Sequence, residues 1–492
     1  MSNPTVSTIH PAHKKTVLTH LIVAASVLVL MMIFGVVMLL NQGNVIKIGP
    51  DFFYQLMTVH GIGMVGMATI GGVAIMWYFL SKYVALNPKI FKINITLSVL
   101  AIVSILIAVF GFKFSDAWTF LYPLPSQSAA AKGMAGAMFF FSGILLLGIG
   151  LLIVYFEAAR KIRKQYGKFL NGLGWDVLFG KKEGYGPPAA VVASTMVVIV
   201  NTSAILAGAS VILMSIITIL FPAIQFDPML AKHLTYAFGH VFANATIYMG
   251  VIAVYEILSS YTNRPWKASK SFLVAWNCST LFTLMIYTHH LLMDFAVPRW
   301  MLIIGQVFSY ANGLPVMVVT AYGALMIVYK SKIKWDMASG FMFISMFGWV
   351  AGAIPAIVDS TIRVNHVMHN TKWVPAHFHT YMGIGITTMV IGFLYYFSKA
   401  EGKRTENKLD YVSLFSYLTF FTGLVGTFLY AGAISVPRRW AVHLPEWAGT
   451  SQAGAFFGIM VTLTTLYIFI RFIGNLKHNL KDHTEGEKHH AA

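Results

Sequence analysis

The chain has 492 residues, of which 57% are hydrophobic and only 11% charged. A soluble domain carries about 25% charged residues, so this composition, with a mean hydropathy of +0.70, excludes a soluble, disordered or collagen-like protein. The net charge of +18 invites a nucleic-acid reading, while the single cysteine, Cys278, excludes internal disulfides, a CxxC redox motif, a cysteine zinc cluster and a CxxCH haem-attachment site.

A bilayer span needs about 20 apolar residues. In chain order twelve segments qualify: 17–42, 56–81, 93–113, 136–156, 190–222, 232–258, 271–293, 302–329, 337–359, 376–398, 411–435 and 452–474. The expected fold is an all-α polytopic membrane protein. The first segment is too long for a cleavable signal and lacks a small-residue cleavage site. With the spans alternating in direction, 26 of the 35 Lys and Arg fall on the side that holds both termini. The positive-inside rule puts that side in the cytoplasm. The basic stretch 160–182 then reads as a topology determinant, and no nucleic-acid partner is needed. The expected division is a cytoplasmic N-terminus over 1–16, a twelve-helix domain over 17–475, and a polar, disordered cytoplasmic tail over 476–492.

Two outer connections are unlike plain linkers. One, 359–375, carries Arg363, His366, His369, Lys372 and Trp373; the other, 436–447, carries Arg438, Arg439, Trp440, His443 and Glu446. They read either as an interfacial aromatic belt or as a dock for anionic groups.

Ionisable residues inside spans are costly and signal function. Six histidines lie within or at the ends of spans: His60, His240, His289, His290, His377 and His379. His240 is about eight residues into its span, roughly 12 Å at about 1.5 Å per residue. With the spans alternating, all six fall in the outer half of the membrane. His377 and His379 are about 200° apart on a helix, so they serve opposite faces. Adjacent His289 and His290, with His240, make a three-imidazole site that suits copper, zinc or iron. His60 pairs with one segment 10 histidine as two axial ligands of a haem, and the other histidine leaves its haem iron open toward the three-His metal.

This pattern resembles the catalytic subunit of the haem–copper oxidase superfamily. The residues that carry the resemblance are TVHG at 58–61, GH at 239–240, THH at 288–290, HNTKWVPAHFH at 369–379 and VPRR at 436–439. Details such as HNTxW, Asp294 and the PRR loop are closest to B-type members. The resemblance implies a low-spin haem on His60 and His379 and a high-spin haem on His377, with type b favoured. It implies one copper on His240, His289 and His290, and Arg438 and Arg439 beside haem propionates.

One departure bears on the substrate. Oxygen-reducing members carry a tyrosine cross-linked to a copper ligand, at the position of Asn244 in A- and B-type enzymes and of Thr283 in C-type enzymes. Splitting O2 in one step takes four electrons, and that tyrosine supplies the one the metals lack. Reducing two NO to N2O and water takes two electrons, which the metals hold. The expected activity is therefore nitric oxide reduction, with Asn244 read either as a hydrogen-bond donor to bound NO or as a packing amide. The alternative is a terminal cytochrome c or quinol oxidase in which Tyr248 or Tyr287 replaces the missing phenol. A haem-binding transporter or sensor is a third reading. No glutamate lies near the three histidines, which favours copper over iron.

His240, Asn244, Tyr248 and Tyr255 share a helix face within about 80°, and Glu256 closes its cytoplasmic end. Tyr310 and Thr320 extend this candidate proton path. Electrons need a second subunit with a dinuclear copper or haem c domain, fed by cytochrome c or a small copper protein. The expected location is a prokaryotic cell (inner) membrane, with lipid as the other partner.

Overall fold

The computed structural model describes residues 9–116, 121–399 and 406–490, with side chains described except at 130–132 and 477–490. Among the described residues twelve helices are long and apolar enough to cross a membrane, and each matches an expected segment. They are α1 (Pro11–Gln42), α2 (Pro50–Leu80), α3 (Pro88–Gly111), α4 (Met134–Tyr166), α5 (Ala189–Leu220), α6 (Pro228–Thr262), α7 (Lys270–Leu291), α8 (Arg299–Val328), α9 (Met337–Asp359), α10 (Trp373–Lys399), α11 (Lys408–Ala433) and α12 (Pro445–Leu476). The chain is an integral membrane protein. No strand occurs among the described residues, and one isolated bridge pairs Thr371 with Pro437.

Several helices begin before their apolar stretch. Pro11, Pro50, Pro88 and Pro228 each open a helix. Proline suits this place because the first-turn N–H has no helical partner to lose. The helix that begins at Pro445 continues to His490, through the tail that composition suggested was disordered. That tail holds no proline to stop it.

Burial ranks the helices. The apolar windows of α6 and α10 are 83% buried and that of α2 is 61% buried, against 28% for α8. These three inner helices carry His240, the His377–His379 pair and His60. Two local departures from α-geometry fall beside the histidines. The end of α7 tightens into a 3₁₀ turn over Ile286–Leu291, which holds His289 and His290. Directly after His379, α10 widens into a π-type stretch over Thr380–Thr387, where the Thr387 hydroxyl donates to the Met382 carbonyl five residues back. Such turns are frequent at functional sites.

The helix ends on the same side as both termini are tied by charge. Asp336 caps α9 by accepting from the Ser339 N–H at 2.9 Å. Its carboxylate also accepts from Lys399 at 2.8 Å and from the Tyr261 hydroxyl at 2.7 Å. Burial pushes the Asp336 carboxyl up, but the Lys399 bond and the cap outweigh it and hold it below 3.8. Replacing Asp336 with Ala removes a cap worth about 0.5–2 kcal/mol and leaves Lys399 with Glu406 as its acid partner. The variant should melt at a lower temperature in detergent. Because the folded pKa is depressed, the stabilisation is present above the ordinary carboxylate range and is lost as pH falls below 3.8. The two melting temperatures should therefore differ at pH 7 and converge in acid; equal values at pH 7 would refute the cap's contribution.

Candidate functional site

His240, His289 and His290 offer ligand nitrogens that all lie within 4.8 Å of one another. Their rings meet at steep angles, 88° for His240 with His289 and 61° for His240 with His290. The rings thus converge through their edges rather than stacking. His240 Nδ1 lies 2.9 Å from His290 Nε2. Two nitrogens at that distance repel unless a proton or a metal sits between their lone pairs.

Hydrogen bonds fix which nitrogen each ring offers. The Ser309 hydroxyl donates to the Gly305 carbonyl at 2.8 Å, so its oxygen is free to accept from His289 Nδ1–H. That leaves His289 Nε2 as the lone pair. On His240 the outer nitrogen, Nε2, lies 3.2 Å from the Asn244 amide. The neighbour there is the amide nitrogen, and with Nδ1 in the cluster an Nε2–H donates to this side chain only when the amide turns its oxygen inward. Asn244 therefore holds the back of His240. The Tyr236 ring stacks on His290 at 4.9 Å and 5°.

His60 and His379 form a second arrangement. Their ring centres are 6.3 Å apart and their planes within 20°. That separation leaves room for one metal ion, and His60 and His379 would hold it. His60 Nδ1 donates to the Met31 carbonyl at 2.7 Å, and His379 Nδ1 donates to the Pro375 carbonyl at 2.7 Å. Both therefore keep Nε2 free as ligand. Gly35 makes room here, since a Cβ on it would sit 2.9 Å from His60 Cε1.

His377 faces the other side of α10, as its spacing from His379 requires. Its Nδ1 has no hydrogen-bond partner and lies 3.7 Å from an Asp359 oxygen. All six histidines line one cavity of about 450 Å³. An apolar cavity edged by imidazoles with lone pairs to spare fits haem and a metal ion.

The outer rim is built from the two unusual connections. Lys372 N donates to the Val436 carbonyl and Arg438 N to the Asn370 carbonyl, each at 2.9 Å, around the Thr371–Pro437 bridge. This pairing brings Lys372, Arg438 and Arg439 to the cavity mouth. Arg439 holds a left-handed φ of 67°, a strain of about 1–3 kcal/mol in a non-glycine residue. Among the described residues, neither guanidinium has a side-chain hydrogen bond or an ion pair within 4.0 Å. Burial, with Arg439 beside it, pulls Arg438 down to about 10, so it stays cationic at neutral pH. Burial and the two arginines pull His369 to about 4, so it is neutral.

The expected proton path is only partly assembled. The Tyr255 and Thr320 hydroxyls meet at 2.6 Å. The Tyr248 ring packs between Trp276 and Trp349, at 5.4 and 5.8 Å. Glu256 is held at the inner end by Tyr83 at 2.7 Å and Lys82 at 3.3 Å. Tyr310 does not join them. Its hydroxyl meets Thr361 at 2.6 Å, beyond the outer end of α9. A long side chain leans along its helix, which spacing alone does not reveal. Tyr287 meets His233 rather than the three-His cluster. Tyr236 and Ser309 were missed by sequence reasoning. Tyr236 was legible in principle, being four residues before His240 and so on its face.

Gly305 is the second close approach. A Cβ there would lie 2.9 Å from the His289 N, the Thr288 carbonyl carbon and the Thr288 hydroxyl. Gly305→Ala should push the 3₁₀ turn away from α8 and pull His289 off Ser309. Metal analysis of the purified variant should find the three-His metal depleted, with helix content by circular dichroism unchanged. Full metal occupancy would show that the turn tolerates the shift.

The comparisons with known proteins agree with this geometry. The family model for cytochrome c and quinol oxidase polypeptide I matches residues 15–476. The chain is 22% identical over 236 residues to the heme-copper oxidase subunit I+III of Aeropyrum pernix, covering 46% of this chain and 28% of that one. It is 23% identical over 248 residues to cytochrome c oxidase subunit 1 of Candida albicans, covering 49% and 45%. It is 26% identical over 263 residues to a probable cytochrome c oxidase subunit 1-alpha of Streptomyces avermitilis, covering 51% and 41%. The matches thus span less than half the length of these relatives. In three dimensions it is similar to a heme-copper terminal oxidase dimer solved by electron cryo-microscopy, with a TM-score of 0.77 at 22% identity, over 95% of this chain and 84% of that one. The family match covers nearly the whole helical bundle, and the chain belongs to the haem–copper oxidase subunit I family.

Proposed function

We propose that this chain is the catalytic subunit of a respiratory haem–copper nitric oxide reductase, in which two NO, two electrons and two protons give N2O and water. The observation that carries the proposal is Asn244. The oxygen-reducing pattern has a phenol there, and here an amide touches the back nitrogen of His240 at 3.2 Å. Thr283, the other tyrosine position, is spent on a 2.8 Å bond to the Asn312 amide oxygen.

In this reading His60 and His379 hold a low-spin haem, His377 a high-spin haem, both of type b, and His240, His289 and His290 a copper. Bound there, those groups supply the electron relay and the metals that take up the gas. The chain's own residues supply orientation. The Met31 and Pro375 carbonyls, Ser309 and Asn244 orient four of the six imidazoles, those of His60, His379, His289 and His240. Arg438 and Arg439 meet haem carboxylates at the rim. Glu256, Tyr255, Thr320 and Tyr248 remain the candidate cytoplasmic proton route, without Tyr310. The chain lies in a prokaryotic cell membrane with both termini in the cytoplasm. A second subunit with dinuclear copper or haem c docks on the outer rim and takes electrons from cytochrome c or a small copper protein.

A second reading has its own support. The named relatives are oxidases, and Tyr236 stacks on His290. As an oxidisable phenol on a copper ligand it offers one electron and one proton, what complete O2 reduction needs beyond the metals. The discriminating experiment is gas consumption by the purified, pre-reduced complex, with NO and O2 given separately. Rapid NO loss with N2O formed, slow O2 uptake, and two haems and one copper per chain after subtracting the partner's metals are the expected results. Fast O2 reduction to water that slows in Tyr236→Phe would instead establish the oxidase. Asn244→Ala should lower NO turnover about tenfold, the usual cost of losing a partner behind a metal ligand.

A further inference from the structure

Lys372 is a buried cation without an anion. It is 7% exposed. Its Nζ donates to Gln42 Oε1 at 2.7 Å, and no carboxylate among the described residues lies within 4.0 Å. Gln42 cannot turn away, because its Nε2 donates to the Trp440 carbonyl at 2.6 Å. The backbone of Lys372 is pinned to Val436 across the paired loops. Beside it His443 is held at about 4 by burial and by Lys372 itself, so that imidazole is neutral. Burial lowers Lys372 to about 8, which leaves it charged at pH 7. A buried ammonium with one amide partner is expensive unless an anion completes its shell.

Position identifies the anion's side. Nζ lies 5.3 Å over the Phe428 ring, and that ring meets the His379 ring edge-on at 5.3 Å. Lys372 thus stands over the His60–His379 half of the cavity. Arg438 instead neighbours Asp359 and His369 on the His377 half. The rim cations are divided between the two halves.

We propose that Lys372 binds a carboxylate of the haem held between His60 and His379 and keeps that haem's reduction potential high. The proposal rests on the bis-histidine haem assignment above. Without the ammonium, the carboxylate on this half of the cavity loses its nearest counter-charge, and its own charge favours the ferric form. Lys372 touches the group's edge rather than the iron, so it acts as an electrostatic partner.

The test is a spectroelectrochemical titration of the low-spin haem in the whole purified complex. Lys372→Met should keep the bis-imidazole spectrum while its reduction equilibrium shifts about tenfold toward the oxidised form, about 59 mV for one electron. Lys372→Arg should stay within threefold of the parent. Redox-difference infrared spectra should show a carboxylate band that moves in the Met variant and returns in the Arg variant. A Met variant within twofold of the parent overturns the proposal. Where Lys372→Met does not assemble, the Gln and Arg variants read the same difference. His60→Ala separates the two layers: a low-spin spectrum that survives it sinks the haem assignment itself, whatever Lys372 does.

Discussion

An imidazole has one lone pair to offer and one N–H to place, and inside a bilayer the choice between its nitrogens decides whether a metal is held. Everything at this site serves that choice. The carriers are the most enclosed helices, so the rings start from rigid backbone. The Nδ1–H groups of His60, His379 and His289 find fixed acceptors in Met31, Pro375 and Ser309. His240 is inverted, with Nδ1 in the cluster and its other nitrogen on Asn244. His377 is the exception, its Nδ1 unmatched beside Asp359. The ring that the family pattern leaves with an open iron is also the one least tied from behind.

The rim obeys a second constraint. Positive charge is gathered where the protein has few anions to meet it, on two loops that pair through a short antiparallel bridge. The strained backbone of Arg439 persists because the loop pairing holds Arg438 before it and Gln42 holds the Trp440 carbonyl after it. A chain that brings uncompensated cations to a cavity is incomplete by itself. Its electrostatics close only when anionic groups fill the mouth.

The twelve spans and the six histidines were legible because each rests on a long signal, apolar length for the first and order plus depth for the second. Helix starts were less legible, since hydropathy does not register a proline-led polar turn such as Pro50–Asp51. The 3₁₀ turn at His289 and the π-type stretch after His379 were not legible, because they answer to neighbours such as Gly305 rather than to local propensity. Asn244 was read as facing a gas or as filling space. Its partner is the histidine one turn before it, a contact that spacing allowed and the reading passed over. Lys372 was only one of several loop cations until Gln42, far away in sequence, gave it a place.

The amide behind His240 also bears on how such sites change over generations. A cross-link between ring and phenol is permanent once formed, and the protein must be remade to undo it. A hydrogen bond leaves the imidazole free to release its metal and take it again. Asparagine and tyrosine codons differ by one base. A single base change at codon 244 therefore exchanges an amide for a phenol beside His240 and leaves the six histidines of the sequence unaltered.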